Sequence, residues 1–301
     1  STFRETPRTM NPDLQARQET FDDVESLLET PVERDAAAER RLAESLDRIE
    51  NLAEELLTAE PFPVDPLGYE LPAGFRLSVV VPVFNEKQTI REIVARIAAL
   101  PLPKEIVLVD DFSTDGTREL LKAFEGRDDV RVIYQPENRG KGAALRTGFE
   151  QARGDVIVIQ DAYLEYDPRD IPQLVRPIVE NQADVVYGSR FLEGAADDPS
   201  WLHRFGNGLL TWASNLTTGL RLTDMETCYK VFRREVIQGL PLRQNRFGFE
   251  PEVTAKLARR RLRMCELPIH YQPRHWDEGK KIGLKDAFNA FYCIARYAFR
   301  D

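Results

Sequence analysis

A chain of 301 residues, 42% hydrophobic and 30% charged, is long enough to bury a substantial core and has the composition of a soluble globular protein. Its apolar runs, such as Leu77 to Val81, fall far short of the roughly 20 residues of a bilayer-spanning helix, which argues against a transmembrane segment. The formal net charge of -9 hides opposite ends: Ser1 to Gly74 carries 7 basic and 18 acidic residues, whereas Val231 to Asp301 carries 15 basic and 8 acidic.

A basic C-terminal third suits phosphates on a lipid, a nucleotide or a nucleic acid. No aromatic residues interleave it at the spacing of a single-strand platform, so no nucleic-acid partner is expected. The N-terminus lacks the apolar run of a signal peptide. Cys228, Cys265 and Cys293 are odd in number and too far apart for a metal knuckle, which fits buried thiols in a reducing cytoplasm.

In chain order, Val32 to Glu60 repeats Leu42, Leu46, Ile49, Leu52 or Ala53, and Leu56 at steps of three and four. This predicts one amphipathic helix, suited either to docking on a domain or to pairing with a second copy in a homo-oligomer. The following PFPVDPLGYELPAG cannot continue a helix and reads as a linker. Residues 1–74 are thus an acidic helical extension with a Pro-rich linker, and 75–301 are the main domain.

From Phe75 the pattern becomes strand, helix, strand. LSVVVPVF precedes a helix over Lys87 to Ala99; EIVLVDD precedes one from Thr117 to about Glu125; VRVIYQ precedes one over Gly140 to Ala152; DVIVIQDA follows. Apolar strands alternating with amphipathic helices predict an α/β fold with a mostly parallel sheet flanked by helices. Ligands of such sheets bind beyond the C-terminal strand ends. Polar residues gather there: Asn85 and Glu86, Asp110 and Asp111, Asn138 to Lys141, Asp161, Ser189 and Arg190.

Thr114 or Asp115 suffices to cap the helix after the second strand. Two adjacent aspartates are harder to assign to packing, and one of them suits a ribose or base. The loop ENRGKG offers backbone amides, an arginine and Lys141 at a helix start, without the Walker spacing.

Taken together, VPVFNE (81–86), VDDFSTDGT (109–117), NRGKGAALRTGF (138–149), QDAYLEYDP (160–168), YGSRF (187–191), DMETCYKVFRREV (224–236) and RHWDEGKK (274–281) resemble the family 2 glycosyltransferases of the GT-A fold. Within that family the similarity is to polyprenyl-phosphate (dolichyl-phosphate-mannose-synthase-like) sugar transferases, over Arg76 to Asp286. The resemblance implies a nucleotide-sugar donor of the GDP-mannose or UDP-glucose type, met by Pro82, Phe84, Glu86, Val109, Asp111, Lys141, Asp161, Ala162 and Arg190. It implies an acceptor phosphate met by Arg204, Arg274 and Lys280, with Asp161, Arg190, Arg274 and Lys280 carrying the chemistry. Mg2+ or Mn2+ is the implied cofactor.

One position departs from the family. Its strand usually ends Asp-Ala-Asp, and here Tyr163 follows Asp161 and Ala162. A phenol with a pKa of about 10 is a poor Mg2+ ligand, so a weakened site on Asp161 and Glu165 is the expectation. The alternatives are a donor-binding pseudoenzyme and transfer to a glycan hydroxyl. The latter requires a base, with Asp224, Glu226, Glu250 and Glu252 as candidates. The tail predicts a helix with Leu284, Phe288, Phe291, Ala295 and Ala298 on one face and Tyr292 and Phe299 beside it. It suits either packing on the domain or peripheral attachment to a membrane face.

Overall fold

The computed structural model describes residues 67–192, 201–272 and 284–299. The expected N-terminal helix, Arg274 and Lys280 lie outside them. Seven strands form one sheet in the order β3-β2-β1-β4-β6-β5-β7. Strand β1 (Leu77–Val83), whose β-branched side chains are all buried, lies between β2 (Lys104–Asp110) and β4 (Val156–Ile159) and is parallel to both. Strand β3 (Val130–Tyr134) extends the parallel half beside β2.

Beyond β4 the direction changes. Strand β6 (Lys230–Arg233) runs antiparallel to β4 and to β5 (Val185–Ser189), and β7 (Met264–Pro268) runs parallel to β5. The C-terminal ends of β1, β2, β4 and β5 therefore share one edge of the sheet with the segment that leads into β6. Polar residues from six separate stretches of sequence converge there.

Helices α1 (Ile90–Ala98), α2 (Thr117–Leu121) and α3 (Lys141–Gln151) follow the first three strands. Helix α3 lies close on β1, because Gly148 has no side chain where an added Cβ would collide with Val80. Helix α2 is shorter than expected and passes into a 3-10 turn over Lys122–Phe124. Asp115 supplies its polar start: its Oδ1 accepts the Thr117 amide at 2.9 Å.

Next come α4 (Ile171–Val179), α5 (Trp201–Thr218), α6 (Arg234–Gln238), α7 (Phe249–Arg259) and α8 (Leu284–Phe299). Helix α8 packs on α5 and α7. It does so through Ala290, Cys293, Ile294 and Tyr297, while Phe291, Tyr292 and Ala295 stay exposed. Over Phe291, Ala295 and Ala298 the tail helix thus docks by a stripe adjacent to the expected face, while the side chains of Leu284, Phe288 and Phe299 lie outside the described ones. Tyr69 is also buried and donates to the Pro172 carbonyl at 2.9 Å, so chain before Phe75 is seated on this domain. Among the described residues no helix is long and apolar enough to cross a membrane.

Candidate functional site

Two loops at the sheet edge are latched to each other by hydrogen bonds that the strand register sets up. Val83 pairs with Asp110, and the chain continues into Asn85 on one side and Ser113 on the other. The Asn85 amide donates to Ser113 Oγ at 2.9 Å, its Oδ1 accepts the Thr114 amide at 2.8 Å, and the Glu86 amide donates to Thr117 Oγ1 at 3.0 Å. Asn85 and Phe112 hold left-handed backbone, with φ of 55° and 66°. Asparagine tolerates this; for phenylalanine it is a strained choice. The Phe112 ring is held beside the Arg118 guanidinium, 5.1 Å from the ring centroid, and remains exposed.

The two adjacent aspartates have different tasks. Asp110 is fully buried, accepts Arg118 Nε at 2.7 Å and receives the Ser113 amide, which gives it a packing role. Asp111 crosses to the next loop, where it accepts the amides of Arg139 at 2.8 Å and Gly140 at 2.7 Å. Burial pushes the Asp111 pKa up against these hydrogen bonds. Of the other expected donor contacts, Pro82 and Phe84 are half-buried at the same edge, Glu86 is buried and accepts Thr89 Oγ1 at 3.0 Å, and Val109 and Ala162 are buried in the floor.

Gly140, at φ 95°, turns the chain into α3. Side chains at Gly140 or Gly142 would run into the backbone of Gln244 and Asn245, and the Ala143 amide donates to the Asn245 carbonyl at 3.0 Å. This seat fixes Lys141, the first residue of α3. Its Nζ stands 3.0 Å from Asp161 Oδ1, 3.2 Å from Asp161 Oδ2 and 3.5 Å from Glu250 Oε1. The Tyr163 hydroxyl donates to Asp161 Oδ2 at 2.5 Å. Burial favours the protonated Asp161, yet the Lys141 charge and the Tyr163 hydroxyl outweigh it and hold the carboxyl below its ordinary range. The same pairing, against burial, keeps Lys141 protonated, while burial and Asp161 keep Tyr163 a neutral phenol.

This donor set does not fit a divalent ion as it stands. Asp161 Oδ2 already receives the Tyr163 hydroxyl and the Lys141 ammonium, and Oδ1 lies 3.0 Å from the same ammonium. Glu165, the expected second ligand, accepts the Tyr271 hydroxyl at 3.1 Å. Among the described residues, no three His, Cys, Asp or Glu side chains group as a metal cage.

Arg190 follows β5 and is clamped from two sides. Its Nε and Nη2 reach Asp224 Oδ2 and Oδ1 at 2.6 and 2.8 Å, a bidentate pair, and Asn207 of α5 donates to Asp224 Oδ1 at 3.2 Å. The guanidinium also lies 5.2 Å from the Tyr271 ring centroid, and Asp224 outweighs burial to hold Arg190 firmly protonated. Asp224 is therefore a positioning residue for Arg190. Arg204, on α5, is exposed.

Behind Lys141 lies a buried polar cluster. Glu226 Oε1, Thr227 Oγ1 and Glu250 Oε2 are buried without a hydrogen-bond partner. Burial, reinforced by Glu250, raises the Glu226 pKa to about 8, and burial lowers that of Lys230, whose ammonium donates to the Thr227 carbonyl. Glu252, by contrast, is consumed by the Arg243 and Gln244 amides and by Lys256 at 2.9 Å. Sequence reasoning missed Lys230, because it sits in a strand pattern whose neighbours all read as core. It missed Asn207, whose role exists only once α5 meets β5.

Three comparisons bear on this site. An undecaprenyl-phosphate 4-deoxy-4-formamido-L-arabinose transferase of Pseudomonas aeruginosa (strain LESB58) is 34% identical over 232 residues, 75% of this chain and 63% of its own length. A dolichol-phosphate mannosyltransferase of Pyrococcus furiosus is 30% identical over 213 residues, 69% of this chain and 60% of its own. The chain thus spans less than two thirds of these curated relatives. The crystal structure of glucosyl-3-phosphoglycerate synthase from Mycobacterium tuberculosis with Mn2+, UDP and phosphoglyceric acid superposes with a TM-score of 0.58 at 22% identity, over 76% of this chain and 80% of that one. That likeness is one of fold, the GT-A fold. Residues 78–240, from β1 to the end of α6, match the family described as Glycosyl transferase family 2, and the chain belongs to that family.

Proposed function

We propose that this domain transfers a hexose from a nucleotide sugar to a polyprenyl phosphate, with inversion at the anomeric carbon. The observation that carries the reading is the two-sided character of α5. One side reaches Arg190 and Asp224 through Asn207, while Phe205, Leu209, Trp212 and Leu216 are 40–71% exposed along the helix. An arginine arm beside an outward apolar stripe matches an acceptor with a phosphate head and a hydrocarbon tail, approached from the water side of a membrane. The relatives named for undecaprenyl phosphate and dolichol phosphate support the same acceptor class.

A phosphate oxygen is already an anionic nucleophile, so no strong base is needed. The oxygen attacks the anomeric carbon as the bond to the nucleoside diphosphate breaks, and the diphosphate leaves with the bonding electrons. The chain's part is to hold two anions in line. Arg190 serves one of them, and the family positions Arg204, Arg274 and Lys280 suit the acceptor phosphate. Pro82, Phe84, Glu86 and Asp111 border the donor's nucleoside. A structural neighbour was crystallised with Mn2+ and UDP, and for the diphosphate end of the donor this chain offers Lys141 and Asp161.

One observation favours a second reading, transfer to a glycan hydroxyl. Glu226, with a pKa of about 8 and an unpartnered buried oxygen, has the properties of a base, whereas Glu252 is fully engaged. The test supplies labelled UDP-glucose or GDP-mannose with undecaprenyl phosphate in mixed micelles. The expected result is lipid-linked hexose of inverted configuration, with no loss of activity in Glu226→Gln. Donor binding without lipid product would leave the hydroxyl acceptor or a pseudoenzyme.

A further inference from the structure

We propose that Lys141 supplies the positive charge that a divalent ion supplies elsewhere in the fold, so that the donor diphosphate binds without Mg2+ or Mn2+. This rests on the transferase reading above and concerns the diphosphate end of that site. The first support is geometric. The ammonium lies 3.0 and 3.2 Å from the two Asp161 oxygens, within the space an ion on that carboxylate would need, and Tyr163 covers Oδ2 at 2.5 Å. A Mg2+ ion demands oxygen at about 2.0–2.1 Å and would have to displace both donors while facing a fixed ammonium.

The second support is charge balance. Two carboxylates and one divalent ion sum to zero. Where Tyr163 replaces the second carboxylate, one aspartate and one lysine also sum to zero. The substitution that removes a metal ligand thus also lowers the negative charge around the site, and the Lys141 ammonium faces the carboxylates that remain, Asp161 and Glu250. Glu250 adds a further acidic contact at 3.5 Å, which leaves a lysine donor direction for a phosphate oxygen.

The third support is the seat. Lys141 opens α3, an 11-residue helix whose start is held from two sides: the Gly140 amide donates to Asp111 Oδ2 at 2.7 Å and the Ala143 amide to the Asn245 carbonyl at 3.0 Å. Gly140 and Gly142 let that turn press against the backbone of Gln244 and Asn245. The ammonium is therefore positioned before the donor arrives, as a catalytic cation should be.

The test measures binding of UDP, GDP, UDP-glucose and GDP-mannose by calorimetry, with excess EDTA or excess Mn2+, and follows free Mn2+ by its paramagnetic resonance signal. The expected affinity for the preferred donor agrees within about twofold in the two conditions, and the protein–donor mixture leaves the free Mn2+ signal intact. Lys141→Met should lower affinity at least about tenfold in EDTA, and Lys141→Met with Tyr163→Asp should recover binding in Mn2+ only. Wild-type binding that vanishes in EDTA and returns with Mn2+ overturns the proposal and leaves the transferase reading standing; this comparison needs no variant. Absence of binding to every nucleotide in both conditions overturns both together.

Discussion

Glu226 is a carboxyl group held where ionisation is costly. Its folded-state pKa of about 8 lies above the ordinary 4.5 because burial and Glu250 disfavour the charged form. A raised carboxyl pKa means that the associated stability is fully present below about pH 4.5 and is lost as pH rises through 8. Wild-type protein should therefore lose stability between pH 5 and pH 9 relative to Glu226→Gln, by on the order of 4 kcal/mol, in urea denaturation. Parallel pH profiles for the two proteins would show that Glu226 titrates normally. At this scale the sequence was partly legible. Asp161, Arg190 and Lys141 were visible from their motifs, but the partners that define them were not: Lys141 and Asp161 meet across 20 residues, and Asp224 reaches Arg190 across 34. Nor does sequence separate Asp110 from Asp111. Adjacent strand-end residues point to opposite faces, and only the sheet determines which face meets the core and which meets the neighbouring loop.

Among the elements, α3 is the one whose placement the site depends on. Its first turn is pressed against 244–246 through glycines, and Arg146 ties the same segment down by donating to the Gln244 carbonyl and to Asn245 Oδ1, both at 2.5 Å. A methyl group at 142 has no room beside the Gln244 carbonyl. Gly142→Ala should therefore destabilise the domain by about 1–3 kcal/mol and weaken donor affinity several-fold, because the turn that carries Lys141 must move. Calorimetry and thermal unfolding of the variant check both effects; full donor affinity with the stability loss would show that Lys141 holds its place independently of the turn. Strands β1 to β4 and helices α1 and α3 were readable from apolar runs and helical periodicity, to within a few residues. The reversal of β6 was not. A four-residue strand with two apolar residues between two charged ones reads the same in either direction, and only its neighbours β4 and β5 determine its orientation.

Over the whole molecule, the described surface carries one apolar stripe whose position bears on function. Phe205, Leu209, Trp212 and Leu216 recur at steps of three and four along α5, and Phe291 and Tyr292 of the packed helix α8 are also exposed. If this face meets a lipid surface, Trp212→Ser with Leu216→Ser should reduce co-sedimentation with anionic liposomes about tenfold, because two large apolar side chains no longer enter the interface. Donor affinity should be unchanged, since neither residue reaches the strand ends. Equal sedimentation of variant and wild type would assign the stripe to another partner.

The sequence by itself determined the alternation of strand and helix, the edge of the sheet where chemistry gathers and the family, because these are written in local periodicity and in short ordered motifs. It also exposed Tyr163 as the point of departure. What that departure means was decided by tertiary structure alone. The seat of α3 brings an ammonium group onto Asp161, and the charge of a buried site depends on which groups are brought together in space, which no local pattern records.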